Sequence, residues 1–287
     1  PKQYAASLGE LAALLDEAPR CGLLGAHLEG PFLSPQFKGA HDPETFLEPD
    51  SDLLLDLCEA GPVSVITVAP ELPGGMELSA SAVQRGLLGA NGHTDADLRQ
   101  CGEAARAGAR MLTHCWNAHR QFSARDPGPA GWVLSEQGAI LGLIADGIHV
   151  APEVLAVTFA AAGDRVALTT DAIAAAGTGT SGRGQPAASV ATPSVPARPT
   201  VKVEGGAARL ADGTLAGSLA TPSGMLRVLL AAGVSFAAAA HAFHRPQSVA
   251  LGLEPWDLRP GDPAHIAVVD GDHEVLAALR GGVRLGD

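Results

Sequence analysis

Short apolar runs, each ending on or just before a polar or ionisable residue, recur along this chain as far as Asp171, and that repetition limits the folds open to it. The runs are Gly22–His27, Val63–Val68, Leu87–Asn91, Arg110–His114, Ile140–Ala145 and Val166–Thr170, and they have the length and content of buried strands. Helical spacing occupies about Tyr4–Leu15, Asp95–Ala107 and Pro152–Ala162. Asp95 suits the positive end of a helix dipole, and Pro152 suits a first helical turn. Strands alternating with helices predict βα units around a parallel sheet.

The ionisable residues fall at the C-terminal ends of these strands. His27 and Glu29 follow the first, Glu71 the second, His93 the third, His114 the fourth, Asp146 and His149 the fifth, and Asp171 the sixth. A (β/α) barrel places its active site there, and so does a doubly wound open sheet. Ligating groups from several separate strands favour the barrel, whose strand ends converge on one centre. A closed TIM-like barrel has eight strands. Six are counted here, and the chain begins at Pro1 rather than Met. An upstream segment carrying the first two strands is therefore expected to be missing.

With 287 residues and 46% of them hydrophobic, the chain can bury a sizeable core, and 17% charged residues fit neither a disordered chain nor a coiled coil. A net charge of -12 argues against general nucleic-acid affinity, although a local basic pocket for one phosphate stays open. Cys21, Cys58, Cys101 and Cys115 form no C-x-x-C pair and no disulfide framework, which predicts a reduced, cytoplasmic setting. No apolar run is long and unbroken enough to span a bilayer.

Ala174–Pro199 is rich in Gly, Ala, Ser, Thr and Pro and is expected to be a loop or lid. Gly177, Gly179 and Gly182 satisfy G-x-G-x-x-G there, but no strand and helix frame them, so a dinucleotide role is not supported. Beyond it come a strand near Ala207–Leu210, a turn at Asp212–Gly213, and helices reaching about Leu230 and Ala250. Ala264–Val269 and Val275–Leu279 read as a hairpin of a small β-domain, which divides the chain into a barrel over 1–255 and C-terminal strands over 256–287.

The chemistry concentrates in HLEGPF (His27–Phe32), GHTDAD (Gly92–Asp97), THCWNAH (Thr113–His119), ADGIHV (Ala145–Val150) and TTDA (Thr169–Ala172). A catalytic divalent cation takes imidazole and carboxylate ligands and keeps one position open. Each residue alone has a plainer reading. A histidine at a strand end is commonly structural, and Asp171 could cap a following helix. Glu29 lies in so apolar a run that a buried partner or a metal is needed. All of them in one register predict a metal-dependent hydrolase.

Together with VAPE (Val68–Glu71), KGAH (Lys38–His41) and GTLAGS (Gly213–Ser218), these segments resemble the N-acetylglucosamine-6-phosphate deacetylases of the amidohydrolase superfamily, from about Leu24 to Val269. The resemblance implies hydrolysis of N-acetyl-D-glucosamine 6-phosphate to D-glucosamine 6-phosphate and acetate. It implies one divalent metal held by Glu29, His93 and His114, with zinc expected first and iron, manganese, cobalt or cadmium as alternatives. Asp171 becomes the general base and then the general acid, and His41 stabilises the oxyanion. His149 contacts the sugar, Asn117 and Ala118 the phosphate, and Leu219 walls the acetyl pocket. Arg125 reaches the phosphate of a neighbouring subunit, implying a homodimer.

No two histidines stand two residues apart, so the H-x-H motif used for a second metal in some family members is absent from this sequence. Two other readings stay open. One is a truncated amidohydrolase that binds metal or sugar phosphate without catalysis. The other is an amidohydrolase with a different amide substrate, such as a cyclic amide. That class relies on a carboxylated lysine, and Lys38 lies beyond the strand in a loop.

Overall fold

A computed structural model describes residues 2–17, 22–176, 188–190, 201–255 and 259–285. The chain divides into two compact units, Pro1–Leu143 and Ile144–Asp287.

The first unit runs α1 (Lys2–Glu17), β1 (Ala26–Glu29), α2 (Ser51–Ala60), β2 (Val63–Val68), α3 (Gly75–Gln84), β3 (Leu88–Asn91), α4 (Leu98–Arg106), β4 (Met111–Leu112), α5 (Gly128–Ser135) and β5 (Ile140–Leu143). The strands pair in parallel and in chain order, each with the next. Helices join successive strands, the βα repeat that the apolar runs predict. Leu28, Phe32, Ile66 and Val68 from the sheet side pack with Leu8, Leu54, Leu57, Leu78 and Ala82 of α1, α2 and α3 to make one buried core.

Helix α4 begins later than its sequence pattern predicts. Its cap is Asp97, which accepts from the Gln100 amide at 2.7 Å while the Gln100 side chain accepts from the Asp97 amide at 3.0 Å. This capping box satisfies donors that the first turn cannot satisfy itself. The Asp95 carboxylate is committed elsewhere, accepting from Arg120 Nε at 3.0 Å.

On the opposite sheet face, polar groups cross the strands beneath the loops that carry the histidines. His27 Nε2 meets Thr67 Oγ1 at 2.7 Å, and Thr67 Oγ1 meets Thr113 Oγ1 at 2.7 Å. Thr67 lies on β2 and Thr113 follows β4, so the second bond passes over the end of β3. Gly92 stands there because any side chain would collide. A Cβ would lie 2.7 Å from Thr67 Cγ2 and 2.9 Å from Thr113 Cβ. Gly92→Ala is therefore expected to cost roughly 1–3 kcal/mol through overpacking, measured as a lower denaturant midpoint. An unchanged midpoint would show that this bridge holds nothing in place.

The second unit contains α6 (Pro152–Ala162), β6 (Val166–Leu168), β7 (Ala188–Val190), β8 (Val201–Glu204), β9 (Ala207–Arg209), α7 (Pro222–Ala231), α8 (Phe236–Ala242), α9 (Arg245–Ala250), β10 (Ile266–Val269), β11 (Val275–Arg280) and β12 (Val283–Leu285). Helices α6, α8 and α9 pack against β6. Strands β7, β8 and β9 form one antiparallel sheet and β10, β11 and β12 another. The tail is thus the expected hairpin with a third strand added. Most of the Gly-rich 174–199 segment, including its G-x-G-x-x-G match, lies outside the described residues.

Candidate metal centre and active-site residues

Glu29 ends β1, His93 follows β3, and His114 follows β4. Their functional atoms converge: Glu29 Oε1 is 3.2 Å from His93 Nε2 and 2.7 Å from His114 Nε2, and the two Nε2 atoms are 3.1 Å apart. His41 approaches from the loop after β1, with its Nε2 3.3 Å from Glu29 Oε2. Two overlapping ligand groups therefore share Glu29 and His93, since His41 also lies with them inside a 4.8 Å cluster of ligand atoms. The group with His114 is the tighter, and its histidine side chains are 4% and 7% exposed against 32% for His41.

The donor set fits a divalent cation. His93 Nδ1 lies 2.7 Å from the Phe37 carbonyl, which can only accept, so that nitrogen carries the proton and Nε2 presents a lone pair. The lone pair on His93 Nε2 and the Glu29 carboxylate oxygen, 3.2 Å apart, would repel each other without positive charge among them. Metal–nitrogen bonds of roughly 2.0–2.1 Å in a tetrahedron set ligand atoms about 3.3 Å apart, close to the observed spacing.

The protonation states agree. Burial alone would raise the Glu29 pKa, but the charge of His114 and hydrogen bonds from His114, His41 and His93 outweigh it and hold the carboxyl well below its ordinary range. Burial lowers the pKa of His93, against the pull of Glu29, and favours the neutral imidazole that a metal needs.

The backbone at these residues is unusual. His93 (φ 47°), His114 (φ 30°), Trp116 (φ 79°), Ala118 (φ 49°) and Asp171 (φ 46°) are non-glycine residues in the left-handed region. Such conformations cost of order 1–3 kcal/mol each and persist where the surroundings over-determine them. In the His114–Ala118 loop the determinant is His119. Its Nε2 accepts from the Trp116 amide at 2.8 Å and its Nδ1 donates to the Arg120 carbonyl at 3.0 Å. Burial lowers its pKa to about 4, so it is neutral and structural, as the sequence suggests. Glu71 is also structural: it accepts from the Thr94 hydroxyl and from the Asp95 amide, and so pins the loop that carries His93.

In the second unit, Asp146 Oδ2 accepts from His149 Nδ1 at 2.7 Å and from Ser218 Oγ at 3.0 Å. Burial would raise the Asp146 pKa, but the His149 ring and the His149 and Ile148 amides bring it down to about 2. Asp171 follows β6, and its carbonyl accepts from the Ser218 amide at 2.9 Å. No helix starts at Asp171, so the helix-cap reading does not apply.

No protein-family model matches the chain. An N-acetylgalactosamine-6-phosphate deacetylase from Escherichia coli O157:H7 is 34% identical over 258 residues, which is 88% of this chain and 65% of that protein. A human N-acetylglucosamine-6-phosphate deacetylase is 36% identical over 275 residues, 91% of this chain and 64% of that protein. The structure of a mutant N-acetyl-D-glucosamine-6-phosphate deacetylase from Mycobacterium smegmatis, in complex with N-acetyl-D-glucosamine-6-phosphate, matches with a TM-score of 0.89 at 31% identity, over 99% of this chain and 73% of that one. The chain belongs to the N-acetylglucosamine-6-phosphate deacetylase family. It spans a little under two thirds of the length of these two curated relatives.

Of the residues in this deacetylase family's motifs, Glu29, His41, His93 and His114 come together in the first unit. Asn117 lies in the same loop as His114, its amide donating to the His114 carbonyl at 3.0 Å, and Ala118 follows it. Arg125 is exposed and makes no hydrogen bond among the described residues, whereas Arg120 is held by Asp95 at 3.0 Å and Asp126 at 2.9 Å. Leu219 is buried. Sequence reading gave Ser218 and Thr67 no role and left Asp146 without a partner. The D-x-x-H spacing inside ADGIHV is the one signal that could have paired Asp146 with His149, since its carboxylate also takes the intervening amides.

Proposed function

We propose that this chain carries the active site of a deacetylase, a carbon–nitrogen amide hydrolase that converts N-acetyl-D-glucosamine 6-phosphate and water to D-glucosamine 6-phosphate and acetate. The observation that carries the reading is the Glu29–His93–His114 cluster, with Glu29 ionised and His93 presenting a lone pair, within a chain of this family. One divalent ion, zinc first, fits there, and when bound it supplies Lewis acidity that lowers the pKa of water and polarises a carbonyl oxygen.

The roles of this chain's residues follow from their chemistry. Asp171 takes the proton of the attacking water and returns it to the amine as the C–N bond breaks. His41 donates to the oxygen that gains charge when water adds to the acetyl carbon. The Asn117 side chain and the Ala118 backbone offer donors to the phosphate, and His149 meets the sugar. Leu219 walls the acetyl group. Arg125, exposed and without a hydrogen-bond partner among the described residues, suits a phosphate held in a second copy, since its forked donors match phosphate oxygens. A homodimer is the corresponding assembly.

Strands β1–β6 are read as six of the eight strands of an amidohydrolase barrel whose first two lie outside this sequence, with 256–287 belonging to a small β-domain. The free thiols of Cys58, Cys101 and Cys115 support a cytoplasmic setting.

The test is acetate release from N-acetyl-D-glucosamine 6-phosphate by purified protein, with the galactosamine epimer in parallel. Release is expected to stop with a chelator and to return when zinc is added back. Metal-loaded protein that frees acetate from neither sugar phosphate would overturn the reading and favour a binding remnant.

A further inference from the structure

Ser218 is 2% exposed and touches two functional residues in different ways. Its main chain pairs with the Asp171 turn: the Ser218 amide donates to the Asp171 carbonyl at 2.9 Å, and the Ile173 amide donates to the Ser218 carbonyl at 3.3 Å. Gly217 makes that approach close. It sits at φ +80°, and a Cβ there would lie 2.6 Å from Ile173 Cγ2 and 2.9 Å from the Asp171 carbonyl oxygen.

The Ser218 hydroxyl points the other way. It accepts from the Ala220 amide at 3.0 Å, which commits its own proton to Asp146 Oδ2 at 3.0 Å. The Asp146 carboxylate is then fully engaged. Oδ1 accepts the Ile148 and His149 amides at 2.9 and 2.8 Å, and Oδ2 accepts Ser218 and the His149 ring at 3.0 and 2.7 Å.

Order matters in this Ser–Asp–His row. The hydroxyl faces the carboxylate and not the imidazole, so no base activates it and it is not a nucleophile. An acceptor-only carboxylate on Nδ1 fixes the imidazole tautomer. His149 Nε2 is left with a lone pair and no hydrogen bond among the described residues, on a side chain only 6% exposed. The Nε2 of so enclosed a ring, unpartnered among the described residues, is open to a ligand.

We propose that Ser218 and Asp146 are positioning residues that lock His149 as a hydrogen-bond acceptor, so that this arm of the site reads a neutral hydroxyl of the sugar and not its phosphate. A lone pair repels phosphate oxygens and accepts from a hydroxyl proton. Through the main chain of Ser218, the same residue ties this acceptor to the turn that carries Asp171. The proposal rests on the reading of His149 as a sugar contact given above.

The test joins nitrogen-15 NMR of the His149 ring with steady-state kinetics on the metal-loaded protein. The wild type is expected to show the Nδ1–H tautomer alone. Ser218→Ala is expected to give mixed tautomers and a KM raised about tenfold, by a larger factor than kcat falls. Ser218→Thr, which keeps the hydroxyl, is expected to restore both. A wild-type tautomer signal and KM in Ser218→Ala would overturn the proposal. His149→Ala separates the two readings. A wild-type KM there removes the sugar contact itself, whereas a raised KM beside an unaffected Ser218→Ala removes only the lock.

Discussion

Glu29→Gln is expected to empty the metal centre and to lower deacetylation by at least about three orders of magnitude, because the ion supplies most of the activation of water. The amide removes the one negative charge around which His41, His93 and His114 gather, and its NH2 group cannot ligate a cation. Bound metal can be counted directly in purified protein. Thermal unfolding gives a second reading. A chelator is expected to lower the wild-type midpoint, since a cation that binds only the folded state stabilises it. The variant's midpoint is expected to ignore the chelator. A variant that retains stoichiometric metal would mean that the ion sits elsewhere.

Asp171→Asn is expected to leave metal content at the wild-type level while kcat falls by roughly 10²–10⁴-fold, the usual range for a lost proton-transfer group. Asparagine is the informative replacement because Asp171 sits at φ 46°, and asparagine tolerates the left-handed region far better than most residues. The backbone bonds to Ser218 therefore persist, and what is lost is the ability to take a proton. Asp171→Ala confounds that loss with backbone strain. Undiminished turnover in Asp171→Asn would remove the residue from catalysis, and a loss of metal would make it a ligand instead.

Much of the first unit was legible because burial on both faces of a parallel strand writes an apolar run, and five such runs became β1–β5. Their ends were less legible. The expected Gly22–His27 strand begins only at Ala26, because Gly22 and Gly25 take positive φ of 87° and 129° and cannot extend the ladder. The fourth strand shrinks to Met111–Leu112 because the chain turns left-handed at His114. Helix α4 starts at Asp97 because a cap needs its side chain on the first turn, and Asp95 gives its side chain to Arg120. The grouping of Glu29, His93 and His114 could be anticipated from residue type and strand position alone. The bonds that hold the site could not. Thr67 and Thr113 are 46 residues apart and Asp146 and Ser218 are 72, and no local pattern encodes either pairing.

The left-handed backbone at His93 and His114 bears on which metal the proposed site would carry. Glu29, His93 and His114 are each anchored by the chain around them, by strand ends, by the Phe37 carbonyl and by the His119-braced loop. A rigid pair of imidazoles with one carboxylate suits several first-row metals, and intrinsic affinity within that series follows a fixed chemical order that a protein scarcely alters. Occupancy then reflects the free-ion concentrations around the protein. The same polypeptide purified from differently supplied cultures is expected to carry different ions in one unchanged frame.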